Sequence, residues 1–274
     1  MRAPEDGTVE RWAWDYVSAT SLAAKLAPPP RPDRWEASPP ARRLTAPGRP
    51  PELAPLARPP KTPRPGALRD PQKRAQLIHT FFHHELQAAE LMCWALLAFP
   101  DAPQELRRGL LRVADDEVRH AGMYATHLAR LGSRVGAFGV RDWFWERVSP
   151  IGRLVEFVAL VGIGFEGGNL DHSARFAAAF RQAGDEEGAR LQELVGAEEI
   201  AHVRFAVRAF ERLEGPLTFE RWLAILPPPL TPIVMRGDPI AREARARAGL
   251  SRELVDAIAA YEPVAGSVRA SREP

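Results

Sequence analysis

The stretch ADDEVRHAGMYATHLARLG (residues 114–132) places three consecutive acids, followed three residues later by a histidine, inside a helical pattern. Continuing the apolar stripe from Leu110 and Val113 by steps of three or four reaches Glu117 and then His120. These two residues are three apart, so their side chains lie on one helix face. A carboxylate that faces a dry interior needs a positive partner or a metal ion. The stretch therefore predicts a buried helix with a metal-binding face.

A second stretch, AEEIAHVRFAVRAFERL (residues 197–213), repeats this arrangement. Steps of three or four from Val195 reach Glu199 and His202, at positions where core residues are expected. Two helices thus each carry a Glu-x-x-His pair, which is the pattern of carboxylate-bridged two-metal sites in helical bundles. Each of the other two helices should then supply one inward acid.

Each of those helices offers two acids five residues apart, Glu85 and Glu90 on one and Glu166 and Asp171 on the other. Five residues rotate a helix by about 140°, so both acids of a pair cannot face one ion. In an antiparallel pair, residues equidistant from the turn lie level, which favours Glu85. The second turn leaves both acids open, and a repeat spacing of 33 residues against 32 in the first half favours Glu166. The predicted metal ligands are Glu85, Glu117, His120, Glu166, Glu199 and His202, with Glu90 and Asp171 as alternatives.

The helical patterns follow one another as helix, tight turn, helix, long connection, helix, tight turn and helix. Asp101 and Asp185 are expected to cap the second and fourth helices. Since no alternating strand pattern is present, the sequence predicts an all-α fold with a central four-helix bundle. In chain order, the predicted helices cover residues 72–99, 104–131, 151–182 and 186–213.

Composition divides the chain into three regions. Residues 1–71 should form a short helix and a proline-rich arm, because they hold 16 of the 27 prolines. Residues 72–215 should form the bundle, and residues 216–274 a C-terminal accessory segment with short helices. The arm is either a flexible tail or an extended segment that lies along the body. In the second case its anchors would be Trp35, Leu44, Leu53 and Leu56.

Charge and cysteine content narrow the functional classes. The net charge of +2 gives no general argument for nucleic acid, although the arginines of the arm leave contact with a polyanion open. The single cysteine, Cys93, fits a reducing cytoplasm. The apolar run FVALVGIGF (residues 157–165) is too short to span a bilayer, and the N-terminus lacks the pattern of a secretory signal. We expect a soluble, cytoplasmic protein that does not bind a membrane.

The predicted ligands also indicate the metal. Four carboxylates and two imidazoles suit two iron ions, with manganese as the alternative, better than zinc. Asp116 and Glu198 directly precede ligand glutamates, where each could orient an imidazole or simply be exposed. Tyr124, one turn after His120, is a candidate redox-active phenol, although a core tyrosine is the simpler interpretation.

The motifs DDEVRH and EEIAH, together with the two upstream glutamates, resemble the ferritin-like di-iron carboxylate superfamily. Ala201 stands where that motif has an arginine. More narrowly, HHELQAAELMCWALLAFPDAP, DDEVRHAGMYATHLARLG, FEGGNLD and GDPIAREARARAGLS resemble a bacterial ferritin-like family of unknown function (domain of unknown function 455). The likeness covers most of residues 72–250. It implies a ferritin-like bundle and the six metal ligands, but no substrate.

The resemblance implies a non-haem di-iron oxidoreductase, expected to be an oxygen-activating monooxygenase or hydroxylase on an unknown substrate. A tRNA-modifying hydroxylase of similar fold is one precedent. The sequence has no G-x-G-x-x-G segment between a predicted strand and a helix, as a dinucleotide fingerprint requires, so a separate reductase should donate the electrons. The alternatives are an iron-binding, ferroxidase-type protein and a metal-free scaffold or interaction protein. The oligomeric state stays open, and a homodimer is compatible with the sequence.

Overall fold

The computed structural model describes residues 1–262. Over this range the regular secondary structure is helical, and the only β-type pairing is an isolated bridge between Pro55 and Val140. The all-α class is therefore confirmed. None of the helices in this part of the chain has both the length and the apolar character needed to cross a membrane.

The chain divides into two compact units. The first consists of Met1–Pro63 and Asp70–Pro150, and the second of Arg64–Arg69 and the chain from Ile151 onward. Each unit contains one long antiparallel helical hairpin. The four-helix bundle and the three domain boundaries stay predictions.

The hairpin of the first unit matches the two helices predicted for this region to within one residue at each end. Asp70 accepts a hydrogen bond from the backbone N–H of Gln72 and caps the first of them. The predicted cap Asp101 is wrong, because the second helix begins after Pro103, which has no side-chain donor or acceptor. The helices of this unit are α1 (Val9–Ser18), α2 (Leu22–Leu26), α3 (Pro71–Ala98), α4 (Gln104–Arg130) and α5 (Trp143–Val148).

Up to Pro63, the proline-rich arm is part of the first unit and contacts α3. The indole Nε1 of Trp94 donates a hydrogen bond to the carbonyl of Leu44, 2.9 Å away. The backbone N–H of Arg42 donates to the carbonyl of Leu97 at 2.8 Å. Leu53 is fully buried, as expected of an anchor, whereas Leu56 is 47% exposed. The interpretation of an ordered arm is thus supported, but Leu56 is not one of its anchors, since its side chain lies at the surface.

Several arginines of the arm are neutralised within the first unit. Arg31 pairs with Asp115, an acid of the opening stretch, at 2.7 Å. Arg42 pairs with Glu36 at 2.6 Å, and both side chains are buried. Since these cations already have carboxylate partners, they add little to a polyanion-binding surface.

The hairpin of the second unit contains an irregularity that the sequence did not reveal. A π-helical segment, Val158–Phe165, leads without a break into the helix that begins at Glu166. The expected cap Asp185 is confirmed, since it accepts from the N–H of Gly188 at 2.8 Å. The helices are α6 (Leu154–Phe157), α7 (Glu166–Gln182), α8 (Glu186–Glu214), α9 (Phe219–Ile225), α10 (Arg242–Arg247) and α11 (Arg252–Ala260).

Glycines in the π-helical segment permit close packing. A Cβ atom at Gly162 would lie 2.5 Å from the Cβ of Ala206 on α8, which is a severe overlap. A Cβ atom at Gly164 would lie 2.6 Å from the sulfur of Met235. Position 162 therefore needs glycine, a side chain at Gly164 would displace Met235, and the helix that presents Glu166 packs tightly against its neighbours.

Candidate metal centre

Three of the predicted ligands come together in the first unit. Glu85 projects from α3, and Glu117 and His120 project from α4; their ligand atoms lie within 4.8 Å of one another. The Nδ1 atom of His120 is 3.4 Å from Glu117 Oε2 and 4.0 Å from Glu85 Oε2. All three side chains are buried. We call this group the first half-site.

The second unit contains the same three residue types in the same arrangement. Glu166 begins α7, and Glu199 and His202 project from α8, again with ligand atoms within 4.8 Å of one another. His202 Nδ1 lies 2.9 Å from Glu199 Oε2. These three side chains are buried as well. We call this group the second half-site.

The second half-site has an amide neighbour. Asn169, one turn after Glu166 on α7, donates from its Nδ2 to Glu199 Oε1 at 3.2 Å. The Ser173 hydroxyl in turn donates to the Asn169 carbonyl at 2.7 Å. Asn169 was not among the predicted site residues, although its position three residues after a predicted ligand is a usable signal.

Glu90, the alternative to Glu85, lies in a separate buried ion cluster. Its Oε1 is 2.7 Å from Lys25 Nζ and 2.5 Å from an Arg49 nitrogen, and its Oε2 accepts from Trp145 Nε1 at 2.9 Å. Burial lowers the pKa of Lys25 despite the nearby carboxylate. For Arg49, the Glu90 and Asp142 carboxylates outweigh burial and raise the pKa. Arg49 is therefore a permanent cation that neutralises Glu90. We call Lys25, Arg49, Glu90 and Asp142 the arm cluster.

Asp171, the alternative to Glu166, is likewise held by a cation. Arg245 of α10 donates to both of its oxygens, at 3.0 Å and 2.8 Å. The backbone N–H groups of Gly237 and Ala241 add two more hydrogen bonds at 2.8 Å each. The Asp171 carboxylate thus accepts four hydrogen bonds, which identifies it as a structural acid. We call Asp171, Arg245 and the two backbone donors the tail cluster.

Sequence reasoning missed the cations that neutralise these two acids. A signal was available, because two inward acids on one helix cannot share an ion and the second must find another positive partner. What the sequence lacks is any indication of which arginine supplies it. Arg49 is 41 residues before Glu90, and Arg245 is 74 residues after Asp171.

The half-sites fit a metal ion chemically. Metal–oxygen and metal–nitrogen bonds of about 2.0–2.2 Å place the ligand atoms of one ion within roughly 4.4 Å of each other. Donor atoms gathered within 4.8 Å need only small movements to reach that spacing. Buried carboxylates in such proximity repel one another unless a cation compensates them. Each half-site could therefore hold a metal ion, and oxygen-rich ligation with imidazole favours iron or manganese.

The remaining predicted site residues lie near these elements. Asp116 forms an ion pair with Arg119 on its own helix at 2.8 Å and is partly exposed, as is Glu198. Tyr124 is buried, with its ring centroid 5.7 Å from that of Phe81. Roles for Asp116 and Glu198 in orienting an imidazole, and for Tyr124 in redox chemistry, stay predictions.

Fold and site together define an all-helical protein with buried carboxylate–histidine clusters that could hold metal ions. A family model described as "Protein of unknown function (DUF455)" matches residues 9–256. The chain belongs to this family, which confirms the resemblance to domain of unknown function 455, whereas the ferritin-like superfamily stays a prediction. No curated protein and no solved structure matches the chain.

Proposed function

We propose that this protein is a non-haem metal oxidoreductase that binds one metal ion in each half-site, with iron as the metal and manganese as the alternative. Its reaction is oxygen-dependent hydroxylation or monooxygenation of an unidentified substrate, with electrons from a separate reductase. We place it in the ferritin-like di-iron superfamily, and we infer a cytoplasmic location. The proposal is carried by one observation, the two buried triads of carboxylate, carboxylate and imidazole.

The residues of each triad explain why occupation is favourable. In the first half-site, Glu117 and His120 have no exposed surface, so the carboxylate gains nothing from bulk water. A divalent cation compensates this desolvation and removes the repulsion between Glu85 and Glu117. When bound in the ferrous state, the two ions would supply electrons for the reduction of dioxygen. Burial keeps water away from the reacting groups.

Iron handling, as in ferroxidases, is the second candidate because it needs the same ligands. The ordered arm distinguishes the two proposals. It covers part of the first hairpin, for example through the bond from Trp94 to Leu44, whereas subunits of a storage cage consist mostly of the bundle. We therefore favour oxygen chemistry over storage.

Anaerobic loading with Fe²⁺, followed by exposure to air, tests the proposal. We expect saturation near two irons per chain and dioxygen uptake above that of free Fe²⁺, with the iron remaining bound. Hundreds of irons per assembly would instead support storage. If the protein binds neither iron nor manganese, both the oxidoreductase and the iron-handling proposals are overturned. The result would then support a metal-free scaffold. The bridged two-metal centre predicted from the sequence is tested in the same samples, since bridged ferric ions couple and give no EPR signal at low temperature.

A further inference from the structure

We propose that Asn169 is a positioning residue for metal binding, and that it strengthens the second half-site by fixing the carboxylate of Glu199. The inference rests on the proposed function, since it concerns the same metal ligands. It adds that the two half-sites, although alike in their ligands, differ in the groups that hold those ligands.

The geometry around Glu199 carries the inference. One of its oxygens, Oε1, accepts from the Asn169 amide at 3.2 Å, and the other, Oε2, lies 2.9 Å from His202 Nδ1. With a neighbour at each oxygen, the carboxylate is held against rotation about its terminal bond. A ligand that is already oriented loses less entropy when an ion binds.

The amide of Asn169 is itself held in place. The Ser173 hydroxyl lies 2.7 Å from the Asn169 carbonyl oxygen and 3.3 Å from its side-chain oxygen. Ser173 thus lies on the Oδ1 side of the amide, and Nδ2 faces Glu199. Ser173 reaches this place because α8 has a glycine opposite it. A Cβ atom at Gly196 would lie 2.7 Å from the Ser173 Cβ.

The first half-site has no amide at the matching position. Three residues after Glu85 stands Ala88, whose methyl group cannot donate a hydrogen bond. An amide three residues after the first ligand glutamate is therefore present in the second half-site and not in the first. Replacing a group that orients a metal ligand commonly lowers metal affinity by about 10–100-fold. We expect a change of that size, limited to one of the two binding steps.

The test is titration of the full-length protein with Mn²⁺, read by EPR of the free ion and by calorimetry. In Asn169→Ala, one dissociation constant should rise about 10–100-fold while the other changes less than about twofold. Gln76→Ala is the matched control, because it also removes a buried amide on a long helix, but one that donates to the Lys61 carbonyl. Gln76→Ala should leave both Mn²⁺ dissociation constants unchanged, although it should lower the thermal stability about as much as Asn169→Ala does.

A double-mutant cycle separates positioning from a general structural effect. If Asn169 acts through Glu199, Asn169→Ala should have little further effect on Mn²⁺ affinity in a Glu199→Asp background, where a shorter carboxylate can still bind the ion but is withdrawn from the Asn169 amide. Affinities of Asn169→Ala within about twofold of the parent, or equal weakening of both steps, would overturn the inference while leaving the proposed function intact. A parent protein that binds neither Mn²⁺ nor Fe²⁺ would overturn the proposed function and, with it, the inference.

Discussion

The two half-sites have the same three ligand types, but they are supported by different parts of the chain. The extra acid beside the first half-site, Glu90, is neutralised by Lys25 and Arg49 from the N-terminal arm. Its counterpart beside the second, Asp171, is neutralised by Arg245 from the C-terminal segment. The motif is thus duplicated, whereas its surroundings are not. In each unit, a different terminal segment supplies the cation that neutralises the extra buried acid. This difference leads to testable consequences.

The largest effect on stability is expected in the tail cluster. Arg245→Met leaves the buried Asp171 carboxylate with only backbone N–H donors and should lower the free energy of unfolding by about 3–5 kcal/mol in urea titrations. The matched change in the arm cluster, Lys25→Met, should cost less, because Arg49 still neutralises Glu90. The double variant Arg245→Met/Asp171→Asn should regain part of the free energy of unfolding that Arg245→Met loses. A loss below about 1 kcal/mol in Arg245→Met would contradict this account of the tail cluster.

Glycine substitutions should have opposite effects in the two units. Gly162→Ala in the π-helical segment would collide with Ala206 and should destabilise by about 1–3 kcal/mol. Gly122→Ala on α4 meets no atom within 4 Å and should stabilise by up to about 1 kcal/mol. Thermal unfolding of both variants tests the comparison. Equal effects of the same sign would mean that the close approach to Ala206 is not a constraint.

These effects show how far the sequence could predict the molecule. The periodicity of α3, α4 and α8 was enough to locate the helices and their inward acids and histidines. Local signals failed where partners are distant, because nothing near Glu90 or Asp171 indicates an arginine 41 or 74 residues away. The π-helical segment was also missed, since a run such as FVALVGIGF fits an α-helix equally well and only packing against neighbours decides its form.

The helix caps provide a smaller test of the same comparison. The side chain of Asp185 caps α8, so Asp185→Ala should cost about 1 kcal/mol. The corresponding acid in the first unit, Asp101, does not cap α4, and Asp101→Ala should change the free energy of unfolding by less than about 0.5 kcal/mol. Chemical denaturation of the two variants checks both values. An equal loss in Asp101→Ala would mean that this acid does stabilise the start of α4.

The smallest effect is a pH dependence of stability that arises in the first unit. Burial raises the pKa of the Asp142 carboxyl, but the imidazole of His83, 3.2 Å away, and hydrogen bonds from Arg49 outweigh it and lower the pKa below its ordinary value of 3.8. Because the folded-state pKa is the lower one, Asp142 contributes stability above pH 3.8 that is lost as the pH falls through the folded value. Asp142→Asn should be less stable than the parent at neutral pH, and the difference should narrow below about pH 4. A difference that stays constant with pH would contradict this assignment.

The most direct test of the central claim is the metal content of the purified protein after anaerobic loading, measured for the parent, Glu117→Ala and Glu199→Ala. These variants remove the ligand glutamate that precedes the histidine in each half-site. The account predicts about two metal ions per chain in the parent and a clear loss in both variants, with each variant remaining folded by circular dichroism. Parent-level loading in either variant, or no metal in the parent, would contradict it.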